Sequence, residues 1–188
     1  MKPRYVLFAA LAATSMMVLA RSNPLPPPGW ILAGASPTEY TSGIDAHNVD
    51  GVTGAKFIAQ NSGEGASWAT LMQMISAEQY RGKRVRFQAR VKTEDVSGWA
   101  GLWLRVDNAV NKPVAFYNSQ DKPIKGSTGW SMRSVVLDVP IDAGAIAFGV
   151  IDNGKGKVWL DAISLEAVGS DVEVSVFPTP SLPKAPTL

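Results

Sequence analysis

Residues 99–107 divide by parity into two rows of opposite chemistry, and that division constrains the fold more than any other feature of the chain. Ala100, Leu102, Leu104 and Val106 make one apolar row, while Gly101, Trp103, Arg105 and Asp107, flanked by Trp99, make the other. Successive side chains of an extended strand point to opposite faces, so a period of two means a strand with one dry face. The other row sets aromatic rings beside a guanidinium and a carboxylate, a combination that stacks on and hydrogen-bonds to a polar ligand with apolar patches.

The same alternation recurs along the chain. Val85, Phe87, Ala89 and Val91 alternate with Arg84, Arg86, Gln88, Arg90 and Lys92, which is a half-buried strand. Further short strands are expected over residues 54–59, 68–75, 113–116, 130–139, 146–150 and 158–165, with one helical turn over 77–80. Residues 125–129 read as a turn, Pro140 ends a strand, and Asp152, Asn153, Gly154, Lys155 and Gly156 make a hairpin signal. About nine strands at this spacing predict an all-β chain, an antiparallel β-sandwich of jelly-roll topology.

The two ends read differently from the middle. Lys2 and Arg4 precede an apolar run to Ala20, the form of a signal peptide over residues 1–20. That run falls short of the roughly 20 residues of a spanning helix, which favours cleavage; uncleaved, it would be the chain's contact with a membrane. Pro24, Pro26, Pro27 and Pro28 make residues 21–28 a linker, the sandwich is expected over 29–169, and the prolines after Phe177 make 170–188 an extended C-terminal tail. Val172, Val174 and Val176 alternate with polar residues, so one more edge strand competes with solvated coil there.

Export to the periplasm or beyond the cell follows from that leader. Without residues 1–20 the 18 basic residues lose Lys2 and Arg4 while the 16 acidic residues all remain, leaving a formally neutral domain. Such a balance excludes a general nucleic-acid footprint. The chain has no cysteine, which excludes disulfides and thiolate metal sites.

Candidate ligand-binding residues are Trp99, Trp103, Arg105 and Asp107, with Gln73, Gln88 and Asn118 as amides and Arg86 and Arg90 from neighbouring strands. The competing reading makes the charged residues cross-strand ion pairs on a solvated sheet, with Trp103 covering their stems. Trp130 and Trp159 sit among apolar partners and read as packing residues, whereas Trp68 fits either role beside Met72 and Met74. Nothing in the sequence assembles a catalytic set. The single His47 has no G-x-S-x-G elbow to serve, and adjacent Glu94 and Asp95 point to opposite sides of a strand. Lys155 between two glycines belongs to a hairpin and not to a phosphate loop.

Residues 80–93 and 158–166 resemble the turn-then-strand and the closing strand of carbohydrate-binding-module, or galactose-binding-domain-like, jelly rolls. Residues 98–107 and 122–130 carry a nearer resemblance, over 29–169, to an uncharacterised module that accompanies some bacterial AraC-type transcription regulators and some secreted proteins. The resemblance implies a fold more than an activity. It also implies a structural calcium ion as the one cofactor to consider, held by Asp161 with Asp45 or Glu39. Two departures bear on it: Ala162 stands where the module tends to have a second aspartate, and Tyr117 where it tends to have an aspartate before Asn118. With Ala162 in place, an Asp161 bonded to backbone at a strand edge is the favoured alternative. The expectation is an exported, non-catalytic module for a saccharide or similar polar ligand; the alternative is a structural or interaction module that docks another envelope protein.

Overall fold

A computed structural model describes residues 25–178 of the chain. The expected leader and the start of the linker lie outside the described residues, as does the end of the tail. Nine strands follow in order: β1 (Ile31–Gly34), β2 (Tyr40–Ile44), β3 (Lys56–Gln60), β4 (Trp68–Ser76), β5 (Arg84–Asn108), β6 (Pro113–Asn118), β7 (Ile124–Asp138), β8 (Ala143–Asn153) and β9 (Lys157–Val168). Single 3₁₀ turns lie at Pro37–Glu39, Glu78–Tyr80 and Ser119–Asp121, and the described residues contain no α-helix. Every strand pairing is antiparallel, as the alternation and short turns predict.

The long strand β5 joins the two layers. Residues 84–94 pair with β7 on one side and β9 on the other, whereas residues 99–108 pair with β8 and β6. One sheet is therefore β1-β4-β8-β5-β6, and the other is β7-β5-β9-β3-β2. The sequence predicts two strands here, 84–92 and 99–107, with a loop between them. The chain instead stays extended through register shifts between Val91 and Thr93, Thr93 and Val96, and Val96 and Ala100, with Asp95 at φ 52°. Bulges bend a strand and strengthen its twist, so one strand turns the corner between the sheets without a break in pairing. For the same reason residues 125–129, expected as a turn, lie within β7, where Gly126 takes φ 65° opposite Val96.

The core fills the space between the layers. Leu71, Leu102, Leu104, Ile146 and Val150 come from the first sheet, and Val85, Val91, Val135 and Leu160 from the second; all are at most 1% exposed. Phe87 meets Phe148 across the interface at 4.9 Å, and Trp30 closes on Phe148 edge-on at 6.3 Å. Each such buried side chain contributes about 1.5–3 kcal/mol relative to exposure. The hairpin after β8 is held to the corner of β5: a Cβ on Gly156 would lie 2.7 Å from the Val96 backbone, so only glycine fits. After β9, residues 169–172 form a turn, in which Val172 N–H donates to Gly169 O at 3.2 Å, and residues 173–178 form no strand. Their one ladder-like contact is at Ser175, whose N–H donates to Val136 O at 2.8 Å.

Candidate functional site

The outward face of the first sheet carries an open cleft of about 680 Å³. Register fixes its layout. Trp68 on β4 lies opposite Asn153 on β8, which lies opposite Trp99 on β5, so two indoles flank one amide across three adjacent strands. Strands are about 4.8 Å apart, which sets the two tryptophan backbones roughly 10 Å from each other. Two rungs along, Met72, Gly149, Trp103 and Asn118 stand in line, and on the next Met74, Ala147, Arg105 and Phe116. Ile151 and Asn153 form the floor, Ala33, Trp68 and Met72 an apolar wall, and Arg105, Asn118 and Gln120 a polar one.

Trp103 is where the sequence-based expectation needs correction. It lines the cleft but is only 5% exposed, too little for an open stacking platform. Its indole reaches from β5 across β8 to donate to Thr70 Oγ1 on β4 at 2.7 Å, and Thr70 donates onward to Val150 O at 2.8 Å. Gly149 lies directly opposite Trp103 on β8 and has no side chain to obstruct that crossing. Trp103 is thus the cleft's floor plate. The open aromatic surface belongs to Trp68, 38% exposed, Phe116, 46% exposed, and half-buried Trp99.

Arg105 faces the cleft with its side chain 33% accessible, and Asp107 fixes it from behind. Asp107 Oδ2 accepts from Arg105 Nη2 at 2.8 Å and Nε at 3.2 Å, while Oδ1 is buried without a partner. The pair is formally neutral, and Arg105 is the one ionisable side chain among the described residues that line the cleft. Asn118 also lines it: its Oδ1 accepts from Gln120 N at 3.2 Å, leaving its amide NH₂ for the cleft.

Two expected amides lie elsewhere. Gln73 shares the parity of core-facing Leu71, so its side chain leaves the cleft face; its Nε2 sits 3.3 Å from where Gly29 would carry a Cβ. Gln88, with Arg86 and Arg90, lies on the other sheet because β5 changes layers between them and Trp99. Phe116, Gln120 and Asn153 line the cleft although the sequence reading passed over them. Asn153 read only as a turn residue, and Phe116 and Gln120 reach the cleft through the pairing of β6 with β5, which has no local signal.

No family model matches the chain. Over 148 residues it is 38% identical to an uncharacterized HTH-type transcriptional regulator, YbfP, of Bacillus subtilis strain 168, an alignment that takes in 77% of this chain and 49% of the regulator. The chain therefore spans about half the length of the curated relative it matches. Among solved structures it is similar to the C-terminal family 22 carbohydrate binding module of Clostridium thermocellum Xyn10B, with TM-score 0.55 and 12% identity over 78% of this chain and 89% of that one. It is similar also to the CBM22-1 xylan-binding domain of Paenibacillus barcinonensis Xyn10C, with TM-score 0.54 and 13% identity over 76% and 87%. The fold is the carbohydrate-binding-module jelly roll. The enzymatically active domain of bacteriophage CBA120 tailspike protein 4 shares it over 75% of this chain and 20% of that one, with TM-score 0.53 and 15% identity.

The jelly roll's second sheet has a different outer face. Residues 45–55 fold over it and cover Trp130 and Trp159, whose indole nitrogens donate to Val49 O at 3.0 Å and Asp45 Oδ2 at 2.9 Å. The calcium expectation fails here on chemistry. Asp45 also accepts from Lys157 at 2.9 Å and from the His47 N–H at 3.1 Å; burial works to raise its pKa, but these donors outweigh it and hold it at about 2. Asp161 pairs with Arg90, whose hydrogen bonds lower its pKa. Both carboxylates thus serve cations of the chain itself. With Lys157 and Arg90 already neutralising them, these two carboxylates do not fit a calcium ion, which needs carboxylate oxygens free to carry its charge. Arg86 likewise pairs with Glu166 at 2.6 Å, a cross-strand ion pair as the competing reading has it.

Proposed function

We propose that this chain is an exported binding module that holds a neutral saccharide in the cleft on its first sheet and leaves it chemically unchanged. The observation that carries the reading is the rung of Trp68, Asn153 and Trp99, with Arg105, Asn118 and Gln120 along the facing wall. Indoles offer flat apolar area to the C–H faces of a sugar ring, and amides with one guanidinium offer directional hydrogen bonds to its hydroxyls. Asp107 neutralises Arg105, which favours an uncharged ligand over an acidic one. The absence of any carboxylate among the described lining residues supports binding without hydrolysis, since glycoside cleavage ordinarily uses two carboxylates about the scissile bond. The similarity to carbohydrate-binding modules, one of them described by the residues of its cleft in ligand binding, supports the same reading, and the apolar leader of residues 1–20 supports export.

Titration of tryptophan fluorescence against a panel of neutral oligosaccharides tests it. The expected result is saturable quenching by at least one member, weakened about tenfold or more in a folded Trp68→Ala variant. A second reading has its own support: Ile31, Met74, Val114 and Phe116 are each about half exposed, and the register sets these members of β1, β4 and β6 on the cleft face. Such a rim suits a protein partner. Silence across the panel, with a stoichiometric complex recovered from an envelope extract, would decide for an interaction module.

A further inference from the structure

β6 supplies Phe116 and Asn118 to the cleft, yet it is an edge strand, paired with β5 on one side only. Edge strands open more easily than central ones, and an unpaired edge leaves backbone groups free. Something must therefore hold β6 if the polar wall is to keep its geometry. Between Phe116 and Asn118, Tyr117 points the other way and is 4% exposed in the main core. Its hydroxyl donates to Asp121 Oδ1 at 2.6 Å, in the 3₁₀ turn that carries Gln120.

The segment after β9 runs to this tyrosine. Arg84 Nη1 donates to the carbonyls of Ser170, at 2.7 Å, and Val172, at 2.6 Å. Val174 packs on the main core. Ser175 then closes a two-way contact with the free edge of β7: its N–H donates to Val136 O at 2.8 Å, and its Oγ accepts from Val136 N at 3.0 Å. Phe177 finally lies on the Tyr117 ring with centroids 4.8 Å apart. β7 belongs to the second sheet and β6 to the first, so the segment crosses the seam between the layers, where a cavity of about 220 Å³ is lined by Tyr117, Ser119, Ile124 and Ser175.

We propose that residues 170–177 are a strap that positions β6, with Phe177 clamping Tyr117 so that Phe116, Asn118 and Gln120 are held in the cleft wall. The structural part stands on these contacts alone; its consequence for binding rests on the saccharide reading above. Ser175 anchors the strap to β7, a 15-residue strand paired with β5 without a break from Arg84 to Val91, and Phe177 transmits that anchor to the six-residue β6. An aromatic pair of this kind has the strength to shift a local opening equilibrium several-fold without unfolding the domain.

Amide hydrogen exchange on the full chain, with xylohexaose as the binding probe, tests the proposal. In Phe177→Ala, exchange of residues 114–118 should rise about five- to tenfold while β4 and β8 stay at wild-type rates, and Phe177→Tyr should restore protection. Ser175→Pro, which removes the N–H donated to Val136, should give the same local pattern. Unchanged exchange in β6, or an equal rise in every strand, overturns the strap. Where wild type binds xylohexaose, a several-fold weaker Kd in Phe177→Ala supports the link to the cleft and an unchanged Kd overturns that link. A wild type that binds no member of the oligosaccharide panel overturns the saccharide reading instead, and the exchange pattern still decides the strap.

Discussion

The outer faces of the two sheets are built from the same kinds of residue and end in opposite states. Each presents tryptophans near arginine and aspartate: Trp68, Trp99 and the floor residue Trp103 with Arg105 and Asp107 on the first, Trp130 and Trp159 with Arg90 and Asp161 on the second. On the second sheet residues 45–55 cover the rings and satisfy both indole N–H groups, and cations pack on the ring faces: Arg90 lies 5.5 Å from the Trp130 centroid and Lys157 4.5 Å from that of Trp159. On the first sheet no loop among the described residues does this. An aromatic ring with its faces and hydrogen bonds already used is structure; one left with a face to solvent is available for a ligand. Residue type alone therefore does not mark a site, and coverage does.

The most severe way to break this contrast is to treat Trp103 as if it belonged to the open set. Trp103→Ala removes a 5%-exposed indole and its bond to Thr70 and should cost about 3–5 kcal/mol in a urea melt, whereas Trp68→Ala should leave the midpoint nearly unchanged and act on binding alone. A stable Trp103→Ala protein would mean that the ring is not the floor of the cleft.

Beneath the open rung lies Asp152, paired in register with Ala69 and Ala100 on the core side, with 0% exposure and no partner for either oxygen. Burial pushes its carboxyl up to about 7. A folded pKa above the unfolded one gives stability that is complete below about pH 4 and is lost as pH rises through 7. Asp152→Asn should therefore match wild type near pH 4 and exceed it at pH 8, by at most about 4 kcal/mol. Parallel stability curves over that range would show that the carboxyl keeps an ordinary pKa.

The covered face has the opposite sign. Asp45, held at about 2, stabilises the fold above about pH 4 and loses that contribution as pH falls through 2. Lys157→Gln should lower stability at pH 7 by about 2 kcal/mol and flatten the acid limb. Addition of EDTA should change neither variant nor wild type, and a calcium-dependent shift in melting would reverse the assignment of Asp45 to Lys157.

A smaller effect sharpens the electrostatics of the cleft. Asp107→Asn leaves Arg105 unbalanced, so affinity for a uronate-bearing oligosaccharide should rise several-fold at low salt and fall again with added salt. Smallest of all is Gln88→Ala on the second sheet, expected within about 0.5 kcal/mol in stability and without effect on binding. A binding defect there would move the site to the other face.

Much of the fold was legible in the residues. The parity of residues 84–92 sorts buried from partly exposed side chains at every position, that of 99–107 sorts the core-facing row from the cleft-facing row although Trp103 and Asp107 in the latter are buried, and the hairpin after Asn153 and the stop at Pro140 fall where their turn chemistry places them. Parity also placed Trp99, Trp103, Arg105 and Asp107 together on one face. It did not reveal that Gln88 and Trp99, on one continuous strand, stand on different sheets, because the bulges that turn β5 are set by pairing with β7 and not by local composition.

What the sequence by itself determined is the side of the backbone from which each residue of a strand projects, because the pleat makes that a local property of the chain. Which strands became neighbours, which of the two outer faces was covered by residues 45–55, and whether an indole ended as floor, wall or buried strut were decided only by the tertiary structure. Those outcomes depend on contacts between residues far apart in the chain, such as Trp103 with Thr70, Trp159 with Asp45 and Tyr117 with Phe177, and no local pattern encodes them.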